Sequence, residues 1–363
     1  MQISELYGLF KQAAGVCTDS RNIVPGSIFF ALKGPHFNGN AFARQALADG
    51  AAFAVIDEKE FHLDEKTLLV ENVLETLQQL ALHHRQQFSI PVLAITGSNG
   101  KTTTKELVHA VLSTTYRTHT TKGNLNNHIG IPLTLLEMKE DTEIAVIEMG
   151  ANHQREIAGY CRYTLPTHGI ITNCGKAHLE GFGGEEGVRK GKGELYDFLR
   201  THDGTAFINW DYDYLRDMGK GIPHVYSYGH SGALTNGRIT ATEPFLDVAI
   251  EGGGGLQLTT QLVGAYNLPN VLVAVAVGRY FKVSDEQIRN AIAGYAPSNS
   301  RSQLIDRGKQ KIILDAYNAN PTSMRAAIES FAASHYPNKV LILGGMAELG
   351  AESEKEHRSI VEL

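Results

Sequence analysis

Residues 93–112 constrain this chain more than any other stretch, because an apolar run, a glycine-containing loop and a helical pattern follow one another directly. The apolar run from Val92 to Ile95 predicts a strand that is covered on both faces. The spacing of apolar residues after Thr103 predicts a helix that ends near Thr115. A strand, a tight loop and a helix N-terminus in this order cradle phosphate groups with backbone amides. The stretch therefore predicts a nucleotide-binding site.

The loop carries the charged and hydroxyl groups that a phosphate site needs. Lys101 would place a positive charge against the β- and γ-phosphates, and Thr102 would offer a hydroxyl to Mg²⁺. The general motif G-x-x-x-x-G-K-[ST] requires glycine where this chain has Ile95, so the loop is a shortened form. A structural glycine turn is the alternative interpretation. The predicted phosphate-binding residues are Gly97, Ser98, Asn99, Gly100, Lys101, Thr102 and Thr103.

The net charge and the cysteines exclude several classes of protein. A formal net charge of −6 argues against a nucleic-acid partner, because phosphate backbones select basic surfaces. The three cysteines lie far apart, which favours neither a disulfide framework nor a zinc site and fits a reducing compartment. The N-terminus has no leader pattern, and no apolar run is long enough for a membrane span. We expect a cytoplasmic protein without membrane insertion.

Two further apolar runs place polar side chains beside the phosphate loop. Residues 144–147 predict a buried strand that ends at Glu148, and residues 169–173 predict a strand followed by a loop with His178. Ligands gather at the C-terminal edge of an open parallel sheet. We therefore predict that Glu148 binds Mg²⁺ and that His178 contacts a metal or phosphate there. A capping or ion-pair role for Glu148 and a surface position for His178 are the alternatives.

Breaks in the pattern divide the chain into three predicted domains. Residues 1–88 are expected to form a small α/β unit, 89–296 the central domain with the phosphate loop, and 297–363 a further α/β domain. The third domain shows two predicted strands, at 311–314 and 340–343. Because two strands cannot close a sheet core, we expect part of this domain to be missing.

Cap and alternation signals predict three more elements. Ser284 and Gln287 form a capping-box pattern that predicts a helix over 285–293, and Pro321 is expected to begin a helix that ends near residue 333. Alternating apolar residues between 245 and 262 predict a β-hairpin.

Two polar segments, one in the first predicted domain and one in the central domain, are candidate ligand contacts. The first, Asp19-Ser20-Arg21, is more typical of a turn than of a site. The second contains Asn124, Asn126 and Asn127, and ordering such a loop is costly unless the amides contact a polar ligand.

Four segments together resemble one family, the Mur ligases, which are ATP-dependent amino-acid and peptide ligases of bacterial cell-wall synthesis. They are the shortened phosphate loop at 96–103, the asparagine-rich segment at 123–136, the carboxylate segment at 148–153 and the segment at 315–324. The resemblance extends through all 363 residues and accounts for Ile95 in the loop.

The resemblance implies an α/β protein with a three-domain Mur ligase architecture, in which a central P-loop ATPase domain has a parallel sheet and the C-terminal Rossmann-like domain is incomplete. Its details resemble the member that joins D-alanyl-D-alanine to UDP-N-acetylmuramoyl-tripeptide through an acyl phosphate, in peptidoglycan precursor synthesis. The cofactors implied are ATP and two Mg²⁺ ions, one of them bound through a carbamylated Lys192. From the residues alone, Lys190 and Lys192 look like a solvated basic patch. We expect a monomer.

The resemblance also assigns site residues by position. Substrate contacts fall on Ser20, Arg21, Asn124, Asn126 and Asn127. The nucleotide side falls on Asn267, Asn270, Arg301, Asp315 and Tyr317. The metal ligands are Thr102, Glu148, His178 and Lys192, and the residues predicted to act in catalysis are Lys101, His178 and Lys192.

Two departures from the family pattern and three alternative interpretations accompany the resemblance. The family's third domain is expected to continue for roughly half a domain beyond the residues of this sequence. Gly345 stands where the family usually has aspartate, which affects the side that binds the amine. A sister ligase that adds a diamino acid or glutamate would share the ATP site. A GTPase would need an Asn-Lys-x-Asp motif, and Asn338-Lys339 lacks that aspartate. A nucleotide- and UDP-sugar-binding fragment without turnover is the alternative of another class.

Overall fold

The apolar run after Pro91 forms the strand Val92–Thr96, in which all five residues are buried. This computed structural model describes residues 1–252, 255–298 and 300–363. The apolar runs Ile144–Glu148 and His168–Ile171 likewise form buried strands of the same sheet. The predicted α/β class with a largely parallel central sheet is confirmed.

Helices and strands alternate along most of the described chain. The α-helices are α1 (Ile3–Phe10), α2 (Ala43–Ala48), α3 (Val73–Arg85), α4 (Lys101–Leu112), α5 (Gly130–Leu136), α6 (Glu156–Thr164), α7 (Leu179–Phe182), α8 (Glu185–Thr201), α9 (Asp213–Met218), α10 (Leu268–Tyr280), α11 (Asp285–Gly294), α12 (Pro321–Ala333) and α13 (Ser353–Val361). The strands are β1 (Val16–Cys17), β2 (Ile28–Phe30), β3 (Lys33–Gly34), β4 (Phe37–Asn38), β5 (Phe53–Ile56), β6 (Thr67–Leu69), β7 (Val92–Thr96), β8 (Thr118–Thr120), β9 (Ile144–Glu148), β10 (His168–Ile171), β11 (Thr205–Asn209), β12 (His224–Gly229), β13 (Thr235–Ala241), β14 (Asp247–Ile250), β15 (Leu256–Thr259), β16 (Gln303–Asp306) and β17 (Lys311–Leu314). Short 3₁₀ helices cover Gly39–Phe42, Lys59–Phe61, Ala265–Asn267 and Gly350–Glu352.

The described residues group into two compact units, each considered by itself. The first comprises Met1–Ile90, Thr121–Asp141 and Gly159–Leu165. The second comprises Pro91–Thr120, Thr142–Ala158 and Pro166–Leu363. The limits of the three domains expected from the sequence stay a prediction.

The first unit is built on a small parallel sheet in the strand order β1-β2-β5-β6. Its core packs Phe29, Ala54 and Ile56 against the short helix α2. Helix α3 begins at an N-cap in which the Asn72 side chain accepts a hydrogen bond from the Glu75 amide at 3.0 Å. The apolar strands and the capped helix thus make this unit a folded α/β layer structure.

The second unit contains a larger sheet, whose described strands follow the order β15-β14-β13-β12-β11-β10-β7-β9-β8. The strands from β8 to β13 are paired in parallel, and β13, β14 and β15 are paired antiparallel. The strand β7, which leads into the phosphate loop, lies between β10 and β9. Three parallel strand ends therefore meet at one edge beside this loop.

Helix α10 closes one face of this sheet by packing against α4. Its residues are apolar on nearly every side, which is typical of a helix buried within a larger core. At Gly278 a β-carbon would lie 2.7 Å from Val111 Cγ1, so the close approach of the two helices requires glycine. None of the described helices, α10 included, combines the length and apolarity that a membrane span requires.

The local signals predicted several elements correctly. The capping box of Ser284 and Gln287 is present at α11, the helix from Pro321 ends at Ala333, and β14 and β15 form the expected hairpin. Within the described residues the prediction missed the short strands β1, β3, β4 and β8. It also missed two strands of four or more residues, β13 and β16. Each becomes a strand by pairing with neighbours in the sheet, β13 with β12 and β14, and β16 with β17.

The predicted strand at 340–343 is wrong. The structure assigns no strand to these residues, and Val340 and Ile342 are 75% and 95% exposed. In the described part of the chain no strand pairs with this run. An apolar run becomes a strand only where a neighbouring backbone completes its hydrogen bonds. Whether such a neighbour is present depends on the tertiary fold and not on the run itself.

A buried histidine at the start of β10 makes the second unit sensitive to acid. The His168 ring contacts Thr167 Oγ1 at 2.8 Å and the Tyr280 hydroxyl at 3.3 Å, and it stacks near Phe207. Burial lowers the pKa of His168 to about 4. An unfolded chain would protonate this histidine near pH ~6.5, so between about pH 6.5 and 4 the unfolded state binds more protons than the folded state.

We therefore expect acid to destabilise the second unit through His168. The contribution of His168 is present above pH ~6.5 and is lost as the pH falls, by up to ~3 kcal/mol. The measurement is the thermal unfolding midpoint at about pH 7.5 and about pH 5 for wild type and His168→Gln. The variant should lose less stability between the two conditions. Equal losses in both proteins would contradict the assignment.

Candidate active site

Three neighbouring strand ends bring the predicted site residues to one edge of the large sheet. The phosphate loop follows β7, Glu148 ends β9, and the loop with His178 follows β10. Because β7 pairs in parallel with both neighbours, these three ends point the same way. Open α/β sheets bind ligands at such an edge. The structure thus brings together the residues of the phosphate loop, Glu148 and His178.

The phosphate loop is held open by glycine and by the loop that follows β10. Gly97 has φ 143°, and a β-carbon there would lie 2.0 Å from Thr172 Oγ1. The Ser98 amide donates to the Asn173 carbonyl at 2.9 Å, and the Asn99 amide donates to Asn173 Oδ1 at 3.1 Å. Helix α4 begins at Lys101, directly after Gly100 in a left-handed conformation. The first-turn amides of α4, which include those of Thr102 and Thr103, therefore follow a braced loop.

Lys101 is folded back onto this loop. Its Nζ donates to the Gly97 carbonyl at 2.7 Å and to the Ser98 carbonyl at 3.1 Å. Burial lowers the pKa of Lys101, the Glu148 carboxylate opposes this shift, and Arg301 adds to it. A cation in this position is stabilised by any anion that enters the loop, which is the chemistry expected for a phosphate site.

Glu148 and Thr102 form a buried oxygen pair beside Lys101. Glu148 is 1% exposed, and Thr102 Oγ1 donates to Glu148 Oε1 at 3.2 Å. Lys105 Nζ lies 3.9 Å from Glu148 Oε2. A carboxylate and a hydroxyl beside a phosphate loop fit Mg²⁺, which usually takes one or two carboxylates together with substrate phosphates. This donor set therefore fits the predicted ion.

His178 lies on the loop before α7 in a left-handed backbone conformation, with φ 52°. Its Nδ1 is paired with the carboxylate of Glu348. Burial lowers the pKa of His178, Glu348 opposes this, and Lys101 and Lys192 lower it further. Across the described residues, no group of three or more His, Cys, Asp or Glu side chains is arranged to hold a metal.

Lys192 lies inside the second unit, in the middle of α8. It is 1% exposed, its Nζ donates to the Ala151 carbonyl at 2.9 Å, and it lies 4.9 Å from the centre of the Phe182 ring. Burial lowers the pKa of Lys192 to about 7, with Lys101 contributing in the same direction. The solvated-patch interpretation is wrong for Lys192, although it holds for Lys190, which pairs with Glu186 on the surface.

Asn267 and Asn270, assigned to the nucleotide side, support the phosphate loop from α10. Asn270 Nδ2 donates to Asn267 Oδ1 at 2.8 Å, and Thr104 Oγ1 donates to Asn270 Oδ1 at 3.1 Å. A β-carbon at Gly100 would lie 2.6 Å from Asn270 Oδ1. The buried Asn270 side chain therefore contacts the loop at Gly100, and Asn267 supports Asn270 from behind.

The other nucleotide-side residues lie near the start of the C-terminal segment. The Arg301 guanidinium stacks over the Tyr317 ring, 3.7 Å from its centre. Ser302 Oγ donates to Asp315 Oδ2 at 3.3 Å and is 2.7 Å from the Tyr266 hydroxyl. The structure thus brings Arg301, Asp315 and Tyr317 into one polar cluster.

The predicted substrate residues all belong to the first unit and are held by local bonds. The Arg21 guanidinium donates to both Asp19 carboxylate oxygens at 2.8 Å, and Ser20 lies in the turn between these two residues. Asn127 Oδ1 accepts from the Gly130 amide at 2.9 Å, at the start of α5. The Asn126 amide donates to the Asn124 carbonyl at 2.8 Å.

Sequence reasoning missed several residues that shape the site. Lys105 lies four positions after Lys101, so helical spacing could have placed both on one face. Asn320 Nδ2 donates to Asn99 Oδ1 at 2.7 Å, and no local signal joins residues so distant in sequence. Glu348 was missed for the same reason.

Comparisons with known proteins match most of the chain. Residues 12–85 match the Mur ligase family catalytic domain, 95–278 the Mur ligase middle domain, and 300–363 the Mur ligase glutamate ligase domain. UDP-N-acetylmuramoyl-tripeptide–D-alanyl-D-alanine ligase of Bacillus subtilis is 38% identical over 351 residues, which cover 95% of this chain and 76% of that protein.

Solved structures agree with this similarity. The crystal structure of MurF from Acinetobacter baumannii has a TM-score of 0.89 at 31% identity, covering all of this chain and 83% of that one. MurF from Thermotoga maritima, solved in complex with ADP, has a TM-score of 0.86 at 27% identity, covering 98% of this chain and 82% of that one.

Proposed function

The chain belongs to the Mur ligase family, and from this premise we propose that it joins D-alanyl-D-alanine to UDP-N-acetylmuramoyl-tripeptide with cleavage of ATP to ADP and phosphate. The observation that carries the proposal is the phosphate loop with Lys101, set beside the buried Glu148 and Lys192 in one unit. This arrangement supports phosphoryl transfer, and the similarity in sequence supports these substrates. The reaction belongs to peptidoglycan precursor synthesis.

The first step is phosphoryl transfer to the substrate. A terminal carboxylate oxygen of the tripeptide attacks the γ-phosphorus of ATP, the bond to the bridging oxygen breaks, and an acyl phosphate and ADP result. Lys101 and the first-turn amides of α4 hold the phosphates in line for this attack. Two Mg²⁺ ions, held by Thr102, Glu148, His178 and a modified Lys192, would supply charge that offsets the repulsion between carboxylate and triphosphate.

The second step forms the amide bond. The amine of D-alanyl-D-alanine attacks the acyl carbon, loses a proton, and inorganic phosphate leaves. Water must be excluded during this interval, because it would hydrolyse the acyl phosphate. Arg301, Asp315 and Tyr317 hold the nucleotide on one side, together with Asn267 and Asn270.

Lys192 is proposed to act as a carbamate. The neutral amine attacks carbon dioxide, forms a carbon–nitrogen bond and releases a proton, which leaves an anionic oxygen ligand in place of a cation. A pKa of about 7 supports this reaction, because much of the amine is unprotonated at neutral pH. A protonated lysine could not ligate Mg²⁺.

The UDP-muramyl end is proposed to bind the first unit through Ser20 and Arg21, with Asn124, Asn126 and Asn127 on the adjoining peptide. Exposure of Arg21, Asn124 and Asn127 leaves their side chains available to a ligand. A cytoplasmic location and a monomeric state stay predictions.

The proposal is tested by phosphate release from ATP. We expect release to require both UDP-N-acetylmuramoyl-tripeptide and D-alanyl-D-alanine, because the acyl phosphate forms only on the tripeptide and is consumed only by the amine. Omitting each substrate in turn provides the controls. Release with a diamino acid and the dipeptide precursor instead would indicate a sister ligase, and binding of tripeptide without any release would contradict turnover by this chain.

A further inference from the structure

A short segment near the end of the described chain contacts the loop that carries His178. This docking segment, residues 346–350, places the Glu348 carboxylate against His178 Nδ1. The Glu180 amide also donates to the Glu348 carbonyl at 3.3 Å, and the Leu349 side chain is buried. The side chain of Glu348 therefore contacts the loop at His178, and its backbone contacts the first turn of α7 directly after it.

Helix α13 and the same loop hold the docking segment in place. The Met346 amide donates to His357 Nε2 at 2.9 Å, and His357 Nδ1 contacts the Ser353 carbonyl at 2.7 Å. Lys176 Nζ donates to Glu356 Oε1 at 2.6 Å, which ties the loop to α13. The contact of Glu348 with His178 is thus one part of a wider set of bonds.

The backbone is strained on both sides of this contact. His178 has φ 52° and Glu348 has φ 59°, and both lie in the left-handed region that residues other than glycine rarely adopt. Such conformations persist where the surrounding structure holds them, and they are concentrated at functional sites. Two strained residues whose side chains meet indicate that the position of the imidazole matters.

The chemistry of imidazole gives this contact a consequence. A neutral histidine has one nitrogen that carries a proton and one that carries a free lone pair. When Nδ1–H donates to a carboxylate, the lone pair is fixed on Nε2, which is the usual arrangement for a histidine that binds a metal. The Glu348 carboxylate would therefore select the tautomer and the ring orientation that a metal ligand needs.

We infer that Glu348 is a positioning residue that holds His178 ready to bind the metal, so that the metal site is complete only when the docking segment is in place. This inference rests on the proposed function, in which His178 is a metal ligand. It links the C-terminal part of the second unit to the phosphate site through one side chain. The opposite possibility, that Glu348 occupies His178 and competes with the metal, predicts an effect of opposite sign.

The test is binding of Mn²⁺ in the presence of ADP, followed by electron paramagnetic resonance. Glu348→Ala should weaken Mn²⁺ binding by about 10- to 100-fold, the range for loss of a carboxylate partner of a metal-binding histidine. Glu348→Gln keeps an oxygen that can accept from Nδ1–H, so it should retain most of the affinity. Glu352→Ala is the matched control, because Glu352 has the same 49% side-chain exposure and pairs with the neighbouring Lys355.

A double-mutant cycle with His178→Ala separates positioning from docking alone. If Glu348 acts through His178, adding Glu348→Ala to His178→Ala should not weaken Mn²⁺ binding further. Unchanged or tighter binding in Glu348→Ala alone would overturn the inference, as would full additivity. Phosphate release by the wild-type chain separates failure of this inference from failure of the proposed function. If the wild type ligates normally and Glu348→Ala binds Mn²⁺ as tightly as the wild type, only this inference is refuted. A wild type without ligation refutes the proposed function, and a wild type that binds no Mn²⁺ refutes the inference.

Discussion

Replacing Lys101 by alanine is expected to remove nearly all ATP-dependent ligation, with a loss in kcat of about 1,000-fold. The reason is that Lys101 Nζ lies over the phosphate loop, bonded to the carbonyls of Gly97 and Ser98. From this position its positive charge would stabilise the negative charge that develops on the transferred phosphate. The measurement is phosphate release with saturating ATP and both substrates.

Two controls make this result specific. Lys101→Arg keeps a positive charge but places a larger planar group between the same carbonyls, so it should retain intermediate activity. Lys220→Ala removes an exposed lysine that pairs with Asp217 in the second unit and should leave turnover unchanged. Near-normal turnover in a folded Lys101→Ala protein would rule out the assigned role.

Replacing Lys192 by alanine is the second change with a large expected effect, a loss of about 100- to 1,000-fold in kcat. The buried amine has no solvent to stabilise its charge, and its carbamate would supply an anionic oxygen to the metal site. If so, a short carboxylic acid added to Lys192→Ala should restore part of the activity, because it returns an anionic oxygen to the space that is left.

If Lys192 is a carbamate, the activity of the wild type should depend on a supply of carbon dioxide or bicarbonate. Activity should fall when carbon dioxide and bicarbonate are removed and should return when bicarbonate is added. Lys190→Ala is the matched control, since Lys190 lies on the same helix, is exposed and pairs with Glu186. Activity in Lys192→Ala equal to that of wild type, or a wild type indifferent to bicarbonate with no rescue of the variant, would contradict this chemistry.

The electrostatics of the site agree with binding of a polyanion. Lys105 and Lys192 are buried in the second unit and Lys101 is half-buried. The Glu148 carboxylate lies close to Lys105 and opposes the lowering of the pKa of Lys101. Burial lowers the pKa values of Lys101 and Lys192, because the protein solvates their charges less well than water does. A triphosphate entering beside them would reverse this penalty, which couples nucleotide binding to the charge state of the site.

The sequence by itself determined the parts of this protein that depend on neighbouring residues. The strand before the phosphate loop, the helix after it, the capping box at Ser284 and the helix from Pro321 all follow from local spacing and capping chemistry. The sequence pattern also placed Glu148 and His178 at the same edge of the sheet, because runs of buried residues indicate parallel strands and the ends of such strands share an edge.

Only the tertiary structure decided which of the other residues are buried and what they contact. The sequence pattern at Lys190 and Lys192 is that of a polar helix surface, and packing of α8 against the sheet buries one lysine while leaving the other exposed. The contact of His178 with Glu348 joins residues far apart in the chain, and the run at 340–343 has the composition of a strand without a paired neighbour. Burial, strand pairing and ion pairing of this kind depend on which distant segments the fold brings together. The local periodicity of the sequence does not specify these long-range contacts.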